Sequence, residues 1–207
     1  SLNKRPIGEL AGALTDLGAD IRYLAKSGYP PLRVDSSKLT VHKTLLHGDI
    51  SSQFFSALMM IAPVMGGLEI DVMGKQISTP YIDMTIDLMD YFGGKVKNED
   101  YRKYIIEPGQ EYLKKDYEVE GDYSSAGYFL AITALTKSTL KLKNLNKNSK
   151  QADRNFLTIL EKLGSKIKFS GNDLIISGNG VKPLNINMDN CFDQVQTLAV
   201  MLAFGLG

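Results

Sequence analysis

A unit of about 70 residues recurs along the chain, and this repeat limits the possible folds more than any other feature of the sequence. In each copy a polar opening leads into an amphipathic helix, which ends at a glycine and is followed by a strand. Glycine is favoured there because it adopts the left-handed conformation that terminates many helices. The three segments are 6–23, 80–97 and 153–169, and their glycines Gly18, Gly93 and Gly164 lie 75 and 71 residues apart.

A second pattern alternates with the first and consists of a serine-bearing turn before an apolar helix. Residues 48–52 (GDISS) precede a helix predicted over 54–64. Residues 121–125 (GDYSS), 73 positions later, precede a helix predicted over 128–135. Further predicted features are strands at 68–72 and 140–145, and a degenerate third turn at 188–193 before a helix at 196–204.

The helix over 54–64 (FFSALMMIAPV) is apolar nearly all round, which is typical of a helix buried on every side. We therefore expect helices inside and sheets outside. The predicted fold is α+β, built from repeated βαβαββ units with buried helices and outer sheets. The chain ends within a copy of the repeat, so we expect it to be an internal piece of a longer protein.

The charge and the cysteine count exclude several classes of protein. The net charge of +1 provides no basic field for nucleic acid or for a membrane surface. No apolar run approaches the roughly 20 residues that span a bilayer. Cys191 is the single cysteine, so no internal disulfide forms, and no Cys/His cluster has zinc-ligand spacing. These features favour a reducing, cytoplasmic compartment and no metal site.

The two turns belong to a longer series of short motifs. The series comprises 5–8 (RPIG), 28–34 (GYPPLRV), 48–54 (GDISSQF), 78–83 (STPYID), 120–126 (EGDYSSA) and 148–149 (NS). In order and spacing it resembles the 5-enolpyruvylshikimate-3-phosphate (EPSP) synthases, and the likeness covers essentially the whole chain.

The resemblance implies a fold of two similar lobes, each with three βαβαββ units around inward-packed helices, the inverse α/β barrel of enolpyruvyl transferases. The active site of that fold lies in the cleft between the lobes. By this mapping residues 1–120 belong to one lobe and 121–207 to the other, which is cut short at its C-terminus. The family's terminal segments, which carry further catalytic Lys, Arg and Glu groups, have no counterpart here, so we expect the 207 residues alone to be inactive.

The activity implied by the resemblance is transfer of the enolpyruvyl group of phosphoenolpyruvate to the 5-hydroxyl of shikimate 3-phosphate. The products are 5-enolpyruvylshikimate 3-phosphate and phosphate, in the shikimate pathway to chorismate and the aromatic amino acids. The reaction needs no metal or organic cofactor. The implied partners are the two small-molecule substrates, with no nucleic acid and no membrane, and the full-length protein is expected to be a monomer.

The resemblance implies that Ser51, Ser52 and Gln53 bind the phosphate of shikimate 3-phosphate. Hydroxyls and N–H groups at a helix start favour an anion. The alternative is that the serines only cap the helix, since serine is a leading N-cap residue. Gln53 favours the ligand-binding role, because its carboxamide can donate and accept whereas the repeated position holds Ala126.

Four further residues receive roles from the resemblance. Arg5 binds phosphoenolpyruvate, since a guanidinium can grip a carboxylate or phosphate with two parallel hydrogen bonds. Ser78 and Tyr81 bind shikimate 3-phosphate, and Asp193 hydrogen-bonds the attacking hydroxyl and accepts its proton. Without the resemblance these would be a surface arginine, a helix cap, a half-buried tyrosine and a helix N-cap.

Two other functions stay open at this point. UDP-N-acetylglucosamine enolpyruvyl transferase shares the fold, but the GYPPLR run and Ser-Ser-Gln favour the shikimate branch. A non-catalytic protein of the same fold that binds a phosphorylated metabolite is the alternative from another class. Cys191 is disfavoured as a nucleophile, because no neighbouring cation in the sequence would lower its pKa.

Overall fold

The computed structural model describes residues 2–183, 185–188 and 191–205. The chain divides into two compact units, residues 1–115 and 116–207. No helix within the described ranges is both long and apolar enough to cross a membrane.

In the described part of the first unit there are three α-helices and six strands. After a short 3-10 helix at Leu2–Lys4, the helices are α1 (Gly8–Asp16), α2 (Ser52–Met65) and α3 (Thr79–Tyr91). The strands are β1 (Asp20–Tyr23), β2 (Leu32–Asp35), β3 (Lys43–His47), β4 (Leu68–Met73), β5 (Lys97–Glu99) and β6 (Lys103–Ile106).

The main sheet of the first unit has the order β3-β4-β6-β5. β3 and β4 run parallel, with Lys43 opposite Glu69 and His47 opposite Met73, and the other pairs are antiparallel. β1 and β2 form a separate antiparallel ribbon. Because parallel strands end at the same edge, the residues that follow β3 and β4 emerge side by side.

The two faces of this sheet differ in polarity. On one face Leu46, Ile70 and Tyr104 are fully buried, and the ring of Phe55 on α2 meets Tyr104 edge-on, with the ring centres 5.7 Å apart. The opposite face is charged and carries a cross-strand ion-pair network, formed by Lys43, Glu69, Asp71 and Lys103. In this unit the sheet is on the outside, as predicted, with the helices packed on its apolar face.

Among its described residues the second unit has three α-helices and three strands. The sheet order is β7-β9-β8, antiparallel throughout. The elements are α4 (Tyr123–Leu135), β7 (Thr139–Leu142), α5 (Phe156–Lys162), β8 (Lys166–Ser170), β9 (Asp173–Ser177) and α6 (Val195–Gly205), with 3-10 helices at Ala152–Asn155 and Phe192–Gln194. Tyr123, Phe156, Leu160, Ile176 and Met201 form the centre of its core.

The three predicted helix–glycine–strand segments are confirmed. Gly18, Gly93 and Gly164 have φ of +109°, +94° and +111°, the left-handed region that glycine occupies without strain. Each glycine lies two residues beyond the last residue of its helix and precedes the next strand.

Two expectations about the helices need correction. α4 begins at Tyr123 rather than 128, because the carboxylate of Asp122 caps the helix earlier. α2 is buried on one side only, with 47% of Met60 and 83% of Val64 exposed. The sheet and α3 pack against α2 but leave these two side chains exposed. The predicted third turn at 188–193 includes positions 189 and 190, which lie outside the described residues.

Candidate active site

The turn 48–53 joins the end of β3 to the start of α2. Ser51 is the N-cap of α2, with extended backbone (φ −162°, ψ 125°), and its Oγ accepts a hydrogen bond of 3.2 Å from the N–H of Gln53. Ser52 is 6% exposed and Gln53 is exposed. Within the described residues neither the Ser52 hydroxyl nor the Gln53 carboxamide forms a hydrogen bond. Ser51 therefore caps the helix, while the next two side chains have no hydrogen-bond partner among the described residues.

Gly48 ties this turn to the loop that follows β4. Its N–H donates to the Met73 carbonyl at 2.9 Å, and its own carbonyl accepts from the N–H of Ile77 at 2.9 Å and from Nε2 of Gln76 at 3.2 Å. A Cβ at position 48 would lie 2.8 Å from Cγ1 of Val72 and 2.9 Å from backbone atoms of Gln76. Only glycine permits this approach, so the starts of α2 and α3 are held next to each other.

Ser78 occupies the N-cap position of α3 in a left-handed conformation (φ 54°, ψ 39°), and its side chain makes no capping hydrogen bond. Its carbonyl accepts a hydrogen bond of 3.1 Å from the N–H of Tyr81. α3 lies against α2, where the hydroxyls of Ser56 and Thr85 are 2.7 Å apart. Ser78 and Tyr81 thus stand at a helix start beside the start of α2.

Arg5 precedes α1, whose first turn is anchored at the same sheet edge. The carboxylate of Glu9 accepts a hydrogen bond of 2.8 Å from the N–H of His47, the last residue of β3. Ile7 donates its N–H to the Gly28 carbonyl at 2.9 Å. Arg5 is exposed, and its guanidinium pairs with no carboxylate in the described part of the chain.

Six of the seven predicted site residues therefore lie at or just before the starts of α1, α2 and α3, which are tied to the edge where β3 and β4 end. The N-termini of α1, α2 and α3 lie at this edge, and each presents the positive end of a helix dipole. Together with the Arg5 cation, this arrangement favours an anionic ligand with several oxygen acceptors. The six residues are Arg5, Ser51, Ser52, Gln53, Ser78 and Tyr81.

The repeated turn in the second unit uses its polar groups internally. Oδ1 and Oδ2 of Asp122 accept from the N–H groups of Ser124 (2.9 Å) and Ser125 (3.2 Å), and Oδ2 also accepts from the Ser125 hydroxyl at 2.5 Å. The Ser124 hydroxyl donates to the buried carboxylate of Asp153 at 2.5 Å. Both serine hydroxyls are therefore occupied, unlike that of Ser52.

Asp122→Ala is expected to lower the free energy of unfolding of the 207-residue chain by about 0.5–2 kcal/mol at pH 7, because α4 loses its N-cap. The Ser125 hydroxyl, and then the two backbone N–H groups, hold the pKa of Asp122 below its ordinary value. Its contribution to stability is present above the ordinary carboxyl pKa and is lost as the pH falls through the lowered one. Urea unfolding at pH 7 and in acid should show the difference shrinking in acid. Asp122→Asn, which keeps the cap, is the control, and an equal loss in that variant would contradict the capping role.

Gln76, which is not among the residues predicted from the sequence, holds the turn 48–53 in place. It is 6% exposed, and Nε2 donates to the carbonyls of Gly48 and Ile77. Gln151, 75 positions later, does the same in the second unit, where Nε2 donates to the Gly121 carbonyl at 2.9 Å. A glutamine at the repeat distance was the signal that could have revealed both.

Asp193 belongs to the second unit. It is exposed, within the 3-10 helix Phe192–Gln194 that leads into α6, and its carbonyl accepts a hydrogen bond of 2.6 Å from Nε2 of Gln196. The prediction that its carboxylate acts on the ligand bound at 51–53 stays a prediction.

The Cys191 thiol and the possible metal ligands can be assessed from the described residues. Burial, and then the neighbouring Asp153 carboxylate, raise the pKa of the Cys191 thiol to about 12, so the thiolate nucleophile is disfavoured. Among the described residues no group of three or more His, Cys, Asp and Glu side chains could hold a metal ion.

The sequence model for EPSP synthase (3-phosphoshikimate 1-carboxyvinyltransferase) matches residues 1–207. Similar relatives include 3-phosphoshikimate 1-carboxyvinyltransferases from Sulfurovum sp., 39% identical over 208 residues, from Actinobacillus pleuropneumoniae serotype 5b, 41% over 209, and from Shewanella sediminis, 40% over 209. Each alignment covers 100% of this chain and 48–49% of the relative. The chain thus spans about half the length of the curated relatives it matches.

The fold is similar to that of a solved EPSP synthase from Acinetobacter baumannii, with a TM-score of 0.73 at 20% sequence identity. The match covers 99% of this chain and 47% of that structure. The predicted α+β fold class is confirmed by this likeness.

Proposed function

Because the chain belongs to the EPSP synthase family, we propose that it forms part of an enzyme that transfers the enolpyruvyl group of phosphoenolpyruvate to the 5-hydroxyl of shikimate 3-phosphate. The observation that carries the proposal is the convergence of three helix N-termini at the edge where β3 and β4 end. Both substrates are phosphorylated anions, which such an edge favours.

The phosphate of shikimate 3-phosphate is proposed to bind at the start of α2. The Ser52 hydroxyl and the Gln53 carboxamide form no hydrogen bonds with described residues, so each can contribute one to a phosphate oxygen without losing an existing partner. Ser51 shapes the turn by capping the helix. Ser78 and Tyr81, at the neighbouring helix start, are proposed to complete the binding site for this substrate.

Arg5 is proposed to bind phosphoenolpyruvate. Its guanidinium is exposed and carries no ion pair within the described residues, and its planar donors match a carboxylate or a phosphate. The anchoring of α1 to His47 through Glu9 keeps this cation near the end of β3.

Asp193 is proposed to act as the general base. In the reaction the 5-hydroxyl oxygen bonds to C2 of phosphoenolpyruvate and loses its proton to the Asp193 carboxylate, while C3 gains a proton. The tetrahedral intermediate then expels phosphate, and loss of a proton from C3 restores the double bond. Such a base contributes about 10²–10⁴-fold to the rate when it lies within hydrogen-bond reach.

The larger organisation follows from the same proposal. Residues 1–120 are assigned to one lobe and 121–207 to the second, in a monomeric cytoplasmic enzyme.

A test of the activity uses the full-length gene product with phosphoenolpyruvate and measures release of inorganic phosphate. We expect release that depends on shikimate 3-phosphate, together with the enolpyruvyl ether detected by mass spectrometry. UDP-N-acetylglucosamine in place of shikimate 3-phosphate is the control and should give none. Release with UDP-N-acetylglucosamine but not with shikimate 3-phosphate would make the protein a UDP-N-acetylglucosamine enolpyruvyl transferase. Binding of shikimate 3-phosphate without any release would make it a non-catalytic metabolite binder.

A further inference from the structure

The side chain of Gln194 is buried directly beside the exposed Asp193. Gln194 is 2% exposed and ends the 3-10 helix Phe192–Gln194. Its Nε2 donates to the Ser124 carbonyl and to Oδ2 of Asp153, each at 3.1 Å. Its Oε1 is buried and accepts no hydrogen bond from the described residues. A buried carboxamide with one unsatisfied end is costly, so packing against its surroundings must hold it there.

That packing comes from Gly127 in the middle of α4. A Cβ at position 127 would lie 2.2 Å from Oε1, 2.6 Å from Cδ and 2.7 Å from Nε2 of Gln194. The carboxamide therefore occupies the space of the absent side chain. Glycine inside a helix is destabilising relative to alanine, so its presence there has a structural use in this contact.

Asp153 contacts both ends of the segment 191–194, through Cys191 and Gln194. It is 2% exposed, and its carboxylate accepts hydrogen bonds from the Ser124 hydroxyl and from Gln194. The thiol of Cys191 is 3.7 Å from Oδ1 of Asp153 and donates to it. Residues 191 and 194 are thus bonded to one buried carboxylate, while Phe192 and Asp193 between them are exposed.

From these contacts we infer that Gln194 is a positioning residue that fixes the direction of the Asp193 carboxylate. It does so by packing against Gly127 and donating a hydrogen bond to Asp153. The inference rests on the proposed function, in which Asp193 accepts the substrate proton. A displacement of about 1 Å in a reacting group can cost on the order of 10²-fold in rate, so a fixed turn serves the chemistry directly.

The test compares Gly127→Ala, Gln194→Ala and the double variant in the full-length gene product. Gln194→Ala is expected to lower kcat by about 10- to 100-fold, with KM for shikimate 3-phosphate little changed. Gly127→Ala should lower both kcat and the melting temperature, because its methyl group displaces the carboxamide. In the double variant the methyl fills the vacated space, so the melting temperature should recover relative to Gly127→Ala while kcat stays low.

Gly12→Ala is the matched control, since Gly12 lies inside α1 with nothing within 4 Å of the added Cβ. It should leave kcat unchanged. Recovery of kcat together with stability in the double variant would reduce Gln194 to a packing role, and unchanged kcat in Gln194→Ala would overturn the inference outright. Asp193→Asn separates the proposed base from the positioning role of Gln194. If this variant turns over normally, the proposed base is wrong and the positioning role falls with it. If Asp193→Asn is impaired and Gln194→Ala is not, only the positioning role is wrong.

Discussion

Asp193→Asn in the full-length gene product is expected to lower kcat for phosphate release by about 10²–10⁴-fold. Asparagine has nearly the same shape as aspartate and still forms hydrogen bonds, but its carboxamide cannot accept the proton of the attacking hydroxyl. The dissociation constant of shikimate 3-phosphate should therefore change by no more than about threefold, since the lost interaction belongs to the transition state. Steady-state kinetics and calorimetry measure the two quantities separately.

The matched control is Asp122→Asn, the same chemical change at an aspartate in the same unit. Asp122 caps α4, and asparagine is an equally good N-cap residue, so kcat should stay at the wild-type value. A kcat for Asp193→Asn that equals that of the control would show that Asp193 only begins the turn before α6.

Removing the polar groups at the start of α2 is expected to weaken shikimate 3-phosphate binding. Ser52→Ala and Gln53→Ala should each cost about 1–3 kcal/mol, or about 5- to 150-fold in the dissociation constant, if each loses a hydrogen bond to a charged phosphate. Neither side chain bonds to a described residue, so the fold should lose little stability. Calorimetric titration and thermal unfolding of each variant distinguish the two effects.

The repeat provides the control for this prediction as well. Ser125 lies 73 positions after Ser52, and its hydroxyl is already bonded to Asp122. Ser125→Ala should therefore lower the stability of the cap at α4 without changing the affinity for shikimate 3-phosphate. Unchanged affinity in both Ser52→Ala and Gln53→Ala would remove the phosphate role from the first turn and leave it as a helix cap.

The N-caps of α2 and α4 could not be predicted from the sequence alone. The two serine-bearing turns look equivalent in sequence, yet Ser51 caps α2 whereas Asp122 caps α4. An aspartate and a serine in one turn are both good N-caps, and local preference does not choose between them. The same limit applies to α2, because an apolar composition predicts burial but does not specify how many sides have a neighbour.

The glutamines that hold the two turns illustrate a different limit. Gln76 and Gln151 are polar residues in loops, which are usually solvent-exposed. Each is instead bonded to the carbonyl of a glycine about 30 residues away along the chain, Gly48 or Gly121. Only their common spacing along the repeat hinted at a shared role.

The sequence by itself determined the 70-residue repeat, the alternation of helices and strands, and the glycines that end three of the helices. These features depend on residues within a few positions of one another, where local conformation and hydrophobic periodicity are sufficient. Only the tertiary structure decided which polar groups find partners elsewhere in the chain. The Ser124 hydroxyl is taken by Asp153, 29 residues away, and the space above Gly127 by Gln194, while Ser52 meets no such partner among the described residues. Hydrogen-bond partners and close contacts of this kind arise from folding, because they join residues that are distant in the chain.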